Sequence, residues 1–300
     1  MYKFDKAIAF YESSLIISNF AFYHYLMEKK KVLFISQEIF PFLPKSDIAS
    51  TARRLPQIVQ EAGKEIRVFT PRFGAINERR HQLHEVIRLS GLNICIDDND
   101  HPLIIKVASV SAARMQVYFI DNDEYFRRKT TLQDEKGNYF EDNDERAMFF
   151  CRGVLETVKK LGWQPDVIHC HGWMTGIMSL YIKHIYNKDP HFKDTKVVYS
   201  LYNDAFNIPW DARFAEKLKF DGFPTEVADK FADTSFLNVT KSFVDYCDGV
   251  SIAVDNLSPD LKAIYDNASH CHKLDYVQEE NQAREYATFF DKVIEESVLA

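Results

Sequence analysis

Glycine and proline are both scarce in this sequence, with 10 of each among 300 residues. This scarcity excludes collagen-like and low-complexity chains, and a hydrophobic share of 46% supplies enough apolar material for a folded core. A Gly-x-Gly-x-x-Gly turn is also missing after the first apolar run, residues 32–35. Its absence excludes the dinucleotide-binding fingerprint of Rossmann-type oxidoreductases.

Long apolar runs and closely paired cysteines are missing as well. The most apolar stretch, residues 13–26, contains polar residues and falls short of the roughly 18 to 20 residues that span a membrane. Asp5 and Glu12 break up the early region and no small-residue cleavage site follows, so a secretory signal peptide is not expected. The 5 cysteines are scattered, which favours free thiols in a reducing cytoplasm over a disulfide framework.

Positive charge is not in excess. The formal net charge is −7 at pH 7, so the chain exerts no general attraction on phosphate backbones, and nucleic acid is not an expected partner. Aromatic residues, in contrast, are abundant at 14%, with 24 Phe and 15 Tyr. Most should fill the core, but aromatic rings also line sugar-binding grooves, where a ring face packs against the C–H face of a pyranose.

The sequence divides near residue 27. Met27, a run of three lysines and then the apolar run at 32–35 are typical of a natural start. We therefore expect residues 1–26 to be an appended helix or an overextended start. Residues 27–300 are expected to form a single domain, because neither internal repeats nor a low-complexity linker interrupt them.

Short apolar runs alternate with helical patterns from residue 32 onward. Strands are predicted at 32–36, 65–70, 92–96, 103–107, 115–120, 167–170, 197–201 and 249–253, and helices at 49–62, 142–162, 175–186, 241–247 and 282–296. Asp142, with Glu145 three positions later, predicts a capping box at the start of the second helix. Strands separated by helices imply βαβ crossovers. The expected fold class is therefore α/β, with a Rossmann-like, mostly parallel sheet flanked by helices.

Three loops leave the carboxyl ends of predicted strands, at residues 38–50, 169–173 and 202–210. Ligands of parallel sheets bind beyond the carboxyl ends of the strands. We therefore expect these three segments, called the rim loops below, to lie along one edge and to carry the functional site.

The rim loops and the second helix carry a series of familiar motifs. In chain order they are Glu38-Ile-Phe-Pro-Phe-Leu-Pro44-Lys45-Ser46-Asp47, Asp142-Asn-Asp-Glu-Arg146, Pro165-Asp-Val-Ile-His-Cys-His171-Gly-Trp173 and Leu201-Tyr-Asn203. Together they resemble the bacterial glycogen and starch synthases that use ADP-glucose (glycosyltransferase family 5). The similarity extends over roughly residues 30 to 255.

This resemblance implies the N-terminal catalytic half of a two-domain GT-B enzyme, with the C-terminal nucleotide-binding domain absent from this chain. Members of that family transfer glucose from ADP-glucose to the end of an α-1,4-glucan in glycogen biosynthesis. They retain the anomeric configuration and need no metal or other cofactor. The resemblance therefore implies a cytoplasmic hexosyltransferase whose substrates are ADP-glucose and an α-glucan.

The resemblance also assigns site residues, position by position. His171 and Asp142 are the catalytic candidates, because they match family positions that hold glucose and acceptor near the reacting carbon. The substrate-binding candidates are Glu38, Lys45, Tyr202, Asn203 and Lys241, with the two lysines on the diphosphate side. Trp173 is expected to pack beneath its loop rather than to serve as a sugar platform.

The sequence departs from the family pattern where a Lys-x-Gly-Gly loop would stand. An ungapped match places Pro44 on the lysine and Ser46 and Asp47 on the glycines. Glycines let backbone amides approach a diphosphate, so Asp47 opposes donor binding. Gly172 also replaces an Asp, and Tyr202 replaces a His. These changes favour an alternative, a glucan-binding or regulatory subunit of the same ancestry with little or no catalytic activity.

If transfer does take place, a separate nucleotide-binding chain or a second copy of this chain is the expected partner, since the departing ADP needs cationic groups. Stabilisation of such developing charge is usually the largest catalytic contribution.

Two His-Cys-His tracts, at 169–171 and 270–272, raise the further alternative of a metal site. His169 and His171 would share a face of a strand. Neither tract has the two-residue spacing of structural zinc motifs, and the first belongs to a rim loop, so no metal is expected.

Overall fold

The computed structural model describes residues 29–295, and the predicted extension at residues 1–26 lies outside them. Ten strands of the described region form a sheet. The strands are β1 (Lys31–Ser36), β2 (Glu65–Pro71), β3 (His84–Glu85), β4 (Leu92–Ile96), β5 (Asn99–Val110), β6 (Met115–Asp121), β7 (Val167–His171), β8 (Lys196–Leu201), β9 (Gly249–Ile252) and β10 (His272–Leu274).

The sheet is parallel through its centre. Its order is β10-β9-β8-β7-β1-β2-β6-β5-β3, and β4 pairs with β5 outside this path. Neighbouring strands from β10 to β6 are parallel, whereas β5 pairs antiparallel with β6, β3 and β4. The prediction of a Rossmann-like, mostly parallel sheet is therefore confirmed, and the strands predicted at 103–107 and 115–120 pair antiparallel as parts of β5 and β6.

Apolar runs place the central strands in the core. All residues of β7 are buried, and so are all residues of β1 except Lys31. Parallel strands covered on both faces carry continuous rather than alternating apolar runs, which is the pattern of Val-Leu-Phe-Ile in β1.

Helices flank the sheet. Those of seven or more residues are α1 (Asp47–Glu61), α2 (Asn143–Lys160), α3 (Phe214–Phe220), α4 (Phe236–Val244), α5 (Pro259–Asn267) and α6 (Gln282–Glu295). Shorter helical segments are Glu78–His81, Ser111–Ala113, Asp123–Phe126, Trp173–Thr175, Met178–Leu180, Tyr181–Ile185, Thr225–Ala228, Asp229–Phe231 and Glu279–Asn281. The helix predicted at 241–247 is α4 and begins five residues earlier. No helix within residues 29–295 combines the length and apolar character needed to cross a membrane.

The start of α2 differs from its prediction. The Asp142 side chain makes no capping hydrogen bond. Both of its carboxylate oxygens instead accept hydrogen bonds from Arg128, at 2.5 Å each. The predicted capping box is wrong because a bidentate ion pair is the stronger use of this carboxylate.

The continuous helix predicted at 175–186 is also wrong. The chain forms a 3-10 turn, a single α turn and a π turn over Trp173–Thr175, Met178–Leu180 and Tyr181–Ile185. The Thr175 and Ser179 hydroxyls each donate to the backbone carbonyl three residues earlier. Such local side-chain bonds compete with the regular helical pattern, and the amphipathic spacing of the sequence does not reveal them.

The strand order reverses between β1 and β7. From β1 the chain continues to β2 on one side, whereas β7, β8 and β9 follow one another on the other side. Open α/β sheets bind their ligands in the crevice at such a reversal. The first two rim loops both leave from this crevice.

Candidate functional site

His171 and Tyr202 form a buried pair at the carboxyl ends of β7 and β8. A hydrogen bond of 2.8 Å joins His171 Nδ1 to the Tyr202 hydroxyl, and the two side chains are almost completely buried. Burial lowers the pKa of His171 to about 3, so the imidazole is neutral at physiological pH. Its Nε2 is buried and has no hydrogen-bond partner within residues 29–295. The structure therefore brings these two predicted site residues together.

Tyr202 also belongs to a second, apolar set of contacts. Its ring packs with Ile48 of α1 and with Val254, which follows β9, in a small apolar cluster separate from the main core. The segments that follow β1, β8 and β9 thus meet at Tyr202. The smaller histidine of the family pattern would leave more of this space open.

Asn203 is a connecting residue between loops. Its Nδ2 donates to the Asn256 carbonyl at 2.7 Å, and its Oδ1 accepts from the Ser258 backbone N–H at 2.9 Å. Both ends of the amide are therefore engaged with the segment that follows β9, while the residue itself remains exposed.

Glu38 lies at the edge of the crevice with a second carboxylate, Asp204. The Ser46 hydroxyl donates to Glu38 Oε2 at 2.6 Å, and the Trp173 backbone N–H donates to Asp204 Oδ2 at 2.8 Å. Burial, with a smaller contribution from the Glu38 charge, raises the pKa of Asp204 to about 7. Sequence reasoning missed Asp204, although it directly follows the Tyr202-Asn203 motif.

Gly172 stands where the family pattern has an Asp, and both its backbone conformation and its surroundings favour glycine. Its backbone has a φ of 90°, and a Cβ atom there would lie 2.3 Å from Cδ of Gln37. Gln37 occupies this space and accepts a hydrogen bond from the Met174 N–H at 3.3 Å. Only glycine fits such a backbone without strain.

The remaining predicted site residues lie in other surroundings. Lys45 is exposed, with its Nζ 5.3 Å from the centre of the Phe40 ring. Lys241 is exposed on α4 and forms an ion pair of 2.7 Å with Asp245. Asp142 is held by Arg128, as described above. None of the contacts described here connects these three residues to His171, and their site roles stay predictions.

An open cleft lies beside the third rim loop. It has a volume of about 530 Å³, and its walls come from segments 137–143 and 206–211. The aromatic side chains that line it are Tyr139, Phe140, Phe206 and Trp210. We call this feature the aromatic cleft. Sequence reasoning did not identify it, because the two walls are far apart in the chain.

Trp173 connects the aromatic cleft to the His171 loop. Phe206 and Trp210 stack at 5.4 Å with an interplanar angle of 17°, and Trp173 packs edge-on against both. Trp173 itself is only 4% exposed, which confirms the prediction that it packs beneath its loop. The aromatic cleft thus lies next to the crevice.

Polar groups complete the cleft walls. Asn138, Glu141, Asn143 and Asp211 line it with amide and carboxylate groups. The Tyr139 hydroxyl accepts a hydrogen bond from the Asn207 N–H at 3.3 Å, which ties the two walls together. A cleft with apolar ring faces and a few convergent polar groups has the general character of a small-molecule site.

This fold is similar to that of the GT-B glycosyltransferases. The catalytic domain of starch synthase IV from Arabidopsis thaliana, solved bound to ADP and acarbose, matches with a TM-score of 0.66 and 17% identity. The match covers 84% of this chain and 52% of that one. At this identity the likeness establishes the fold alone.

Within this class, the sequence defines the family. The starch synthase catalytic domain family matches residues 31–260, so the chain belongs to it. Glycogen synthases of Chlorobium limicola, Chlorobaculum tepidum and Chlorobaculum parvum are 38%, 40% and 33% identical over 174, 174 and 226 residues. The matches cover 58% to 74% of this chain but 36% to 45% of those relatives. The predicted family is confirmed, and the chain spans less than half the length of the glycogen synthases it matches.

Proposed function

We propose that this chain supplies the acceptor side of a glucosyltransferase that adds glucose from ADP-glucose to an α-1,4-glucan with retention of configuration. The observation that carries the proposal is the aromatic cleft beside the His171 loop. Ring faces suit the C–H faces of pyranoses, and the amide and carboxylate groups suit their hydroxyls. The matched relatives are glycogen synthases, which supports a glucan as the acceptor.

In this proposal His171 acts as a hydrogen-bond partner of the transferred glucose. With a pKa of about 3 it is neutral, so it is unsuited to protonate a leaving group near neutral pH. Its unpartnered Nε2 is the atom left for a sugar hydroxyl. Because His171 is fully buried, a sugar reaches this atom only if the surrounding segments move.

A second candidate function is a glucan-binding or regulatory subunit without transferase activity. The first rim loop favours it. Ser46 caps α1 by accepting from the Ala49 N–H at 3.0 Å, and Asp47 is the first helical residue. Glu38 and Asp47 place negative charge near a helix start, where a diphosphate would otherwise be attracted.

Separate calorimetric titrations with maltoheptaose and with ADP-glucose decide between these functions. Binding of both ligands, together with transfer of labelled glucose to glucan, supports the transferase. Binding of maltoheptaose alone supports the subunit. Failure to bind maltoheptaose contradicts both, because both require the glucan.

A cleft variant tests the location of the glucan. Tyr139→Ala removes an aromatic wall and should weaken maltoheptaose binding by about tenfold, which corresponds to about 1.4 kcal/mol. Tyr246→Ala is the matched control, because Tyr246 is also half-buried but contacts Lys230 outside the cleft. Equal affinities for the two variants would place the glucan elsewhere.

A further inference from the structure

Lys217 is a buried cation beside the aromatic cleft. It belongs to α3, its side chain is 1% exposed, and its Nζ lies 2.8 Å from each of three carboxylates, Asp144, Glu145 and Asp211. An ammonium group has three donors, so each carboxylate takes one. One lysine therefore fixes three acidic side chains, two from α2 and one, Asp211, that directly follows the third rim loop.

The three carboxylates are not equivalent. Asp144 is fully buried, and burial raises its pKa to about 6 in spite of Lys217. The Asp211 side chain is 32% exposed and lines the cleft. Although burial acts in the opposite direction, the hydrogen bonds from Lys217 and from the Arg213 N–H lower the pKa of Asp211. Asp211 is thus a charged group of the cleft wall that Lys217 holds in place.

Asp211 retains capacity for further hydrogen bonds. Its Oδ2 accepts from Lys217 and its Oδ1 accepts from the Arg213 N–H at 2.9 Å. An ionised carboxylate offers about four acceptor positions, so about two remain. Hydroxyl groups are the donors that a sugar would bring to them.

The neighbouring residue, Trp210, carries an unpartnered donor. Trp210 borders the cleft and is 6% exposed, and its indole N–H is buried without a hydrogen-bond partner in the described part of the chain. Buried polar groups without a partner are rare in proteins, so such a donor points to a missing acceptor. A hydroxyl oxygen is an acceptor of suitable size.

We propose that Asp211 is a charged acceptor in the cleft, that Trp210 is a donor beside it, and that Lys217 is the buried residue that positions Asp211. Together they recognise two adjacent hydroxyls of one pyranose: one donates to Asp211 and the other accepts from the Trp210 N–H. The stacked rings of Phe206 and Trp210 form the apolar wall beside them. This assignment rests on the proposed glucan-binding function of the cleft.

The first test is calorimetry of maltoheptaose with Asp211→Asn. The amide keeps the shape but removes the charge and turns one acceptor into a donor, so affinity should fall about tenfold or more, as expected for hydrogen bonds to a charged group. Glu145→Gln is the matched control, because it removes another partner of Lys217 that does not line the cleft. Its affinity should stay within about twofold, because Glu145 is not among the residues that line the cleft.

The outcomes separate this assignment from the proposed function. If the unmodified protein does not bind maltoheptaose, the proposed function fails and the assignment fails with it. If the protein binds but Asp211→Asn binds equally well, only the assignment fails. Equal losses in Asp211→Asn and Glu145→Gln also overturn it, because they would show a general effect of the charge cluster.

Trp210→Phe tests the donor, since it keeps a ring and removes only the N–H. Affinity should fall about fivefold, the effect of one neutral hydrogen bond. Trp163→Phe is the control, because the Trp163 indole donates to Glu65 at 2.6 Å, outside the cleft. No loss in Trp210→Phe relative to Trp163→Phe would exclude the donor role.

The positioning role of Lys217 needs a readout other than stability. Lys217→Met alone would leave Asp144 buried without a counter-ion, so it is combined with Asp144→Asn. In this double variant, carboxyl ¹³C NMR should show the pKa of Asp211 returning towards its ordinary value, with weaker maltoheptaose binding. An unchanged pKa would overturn the positioning role. If the double variant does not fold, the comparison of Asp211→Asn with Glu145→Gln still decides the assignment.

Discussion

At the scale of single residues, the site differs from its family in how its side chains are used. Tyr202 replaces a histidine and binds His171 at 2.8 Å. Gly172 replaces an aspartate, and a carboxylate returns nearby as Asp204, on the neighbouring rim loop. A carboxyl group is thus retained close to the crevice, but it comes from the segment after a different strand.

The raised pKa of Asp204 predicts that the free energy of unfolding depends on pH. Its pKa of about 7 means that the folded protein keeps this proton at pH values where the unfolded chain releases it. The stability that the protonated Asp204 side chain contributes is fully present below about pH 4 and is lost as the pH rises towards about 7. Asp204→Asn can still accept from the Trp173 N–H but does not ionise. Relative to the unmodified protein, it should therefore gain stability across this range, by at most about 1.4 kcal/mol per pH unit.

Urea unfolding at several pH values checks this prediction. Asp233→Asn is the control, because hydrogen bonds from Ser235 lower the pKa of Asp233 rather than raise it. It should show no gain as the pH rises. Parallel stability curves for Asp204→Asn and the unmodified protein would contradict the raised pKa.

At the scale of elements, the turn that ends β7 determines the shape of the crevice. Gly172 has a φ of 90° and lies against Gln37, which follows β1. The two central strands therefore end in segments packed against each other. Little space is left there for a larger side chain.

Gly172→Ala should lower the free energy of unfolding for two reasons. A backbone with φ of 90° and ψ of 160° costs a non-glycine residue about 1–3 kcal/mol, and overpacking against Gln37 adds about 1–3 kcal/mol. Gly63→Ala is the matched control: its φ is 98° but no atom lies within 4 Å of the added Cβ. Chemical denaturation should show the larger loss for Gly172→Ala, and equal losses would mean that Gln37 moves aside freely.

Most elements were predictable because each leaves a local pattern. The apolar runs of β1, β2 and β7 and the spacing of α6 depend only on neighbouring residues. The broken helix after residue 175 was not predictable, since Thr175 and Ser179 use their hydroxyls on nearby carbonyls. The capping box failed because Arg128, which takes the Asp142 carboxylate, lies 14 residues away.

At the scale of the whole molecule, the last helix packs on the first strand. The centre of the Phe290 ring in α6 lies 6.2 Å from the ring centre of Phe34 in β1 and 5.4 Å from that of His169 in β7. Residues near the two ends of the described chain therefore share one core. The central strands that carry the rim loops depend on this helix for cover.

Phe290→Ala should destabilise the whole fold by about 3–5 kcal/mol, because it removes a large, fully buried side chain. Tryptophan fluorescence and far-ultraviolet circular dichroism should report one shared transition in urea. Phe220→Ala serves as control, since Phe220 is 55% exposed and should change stability by about 0.5 kcal/mol or less. A loss confined to α6, with the fluorescence transition unchanged, would show that the helix is an independent unit.

The sequence by itself determined the alternation of strands and helices, the mostly parallel sheet and the family, because these follow from local periodicity and contiguous motifs. Only the tertiary structure decided how distant segments meet. Segments 137–143 and 206–211 form the aromatic cleft, and Lys217 reaches Asp144, 73 residues away. The same holds for Tyr202, whose side chain packs with Ile48 and Val254. Such contacts depend on strand order and register, which no local pattern records.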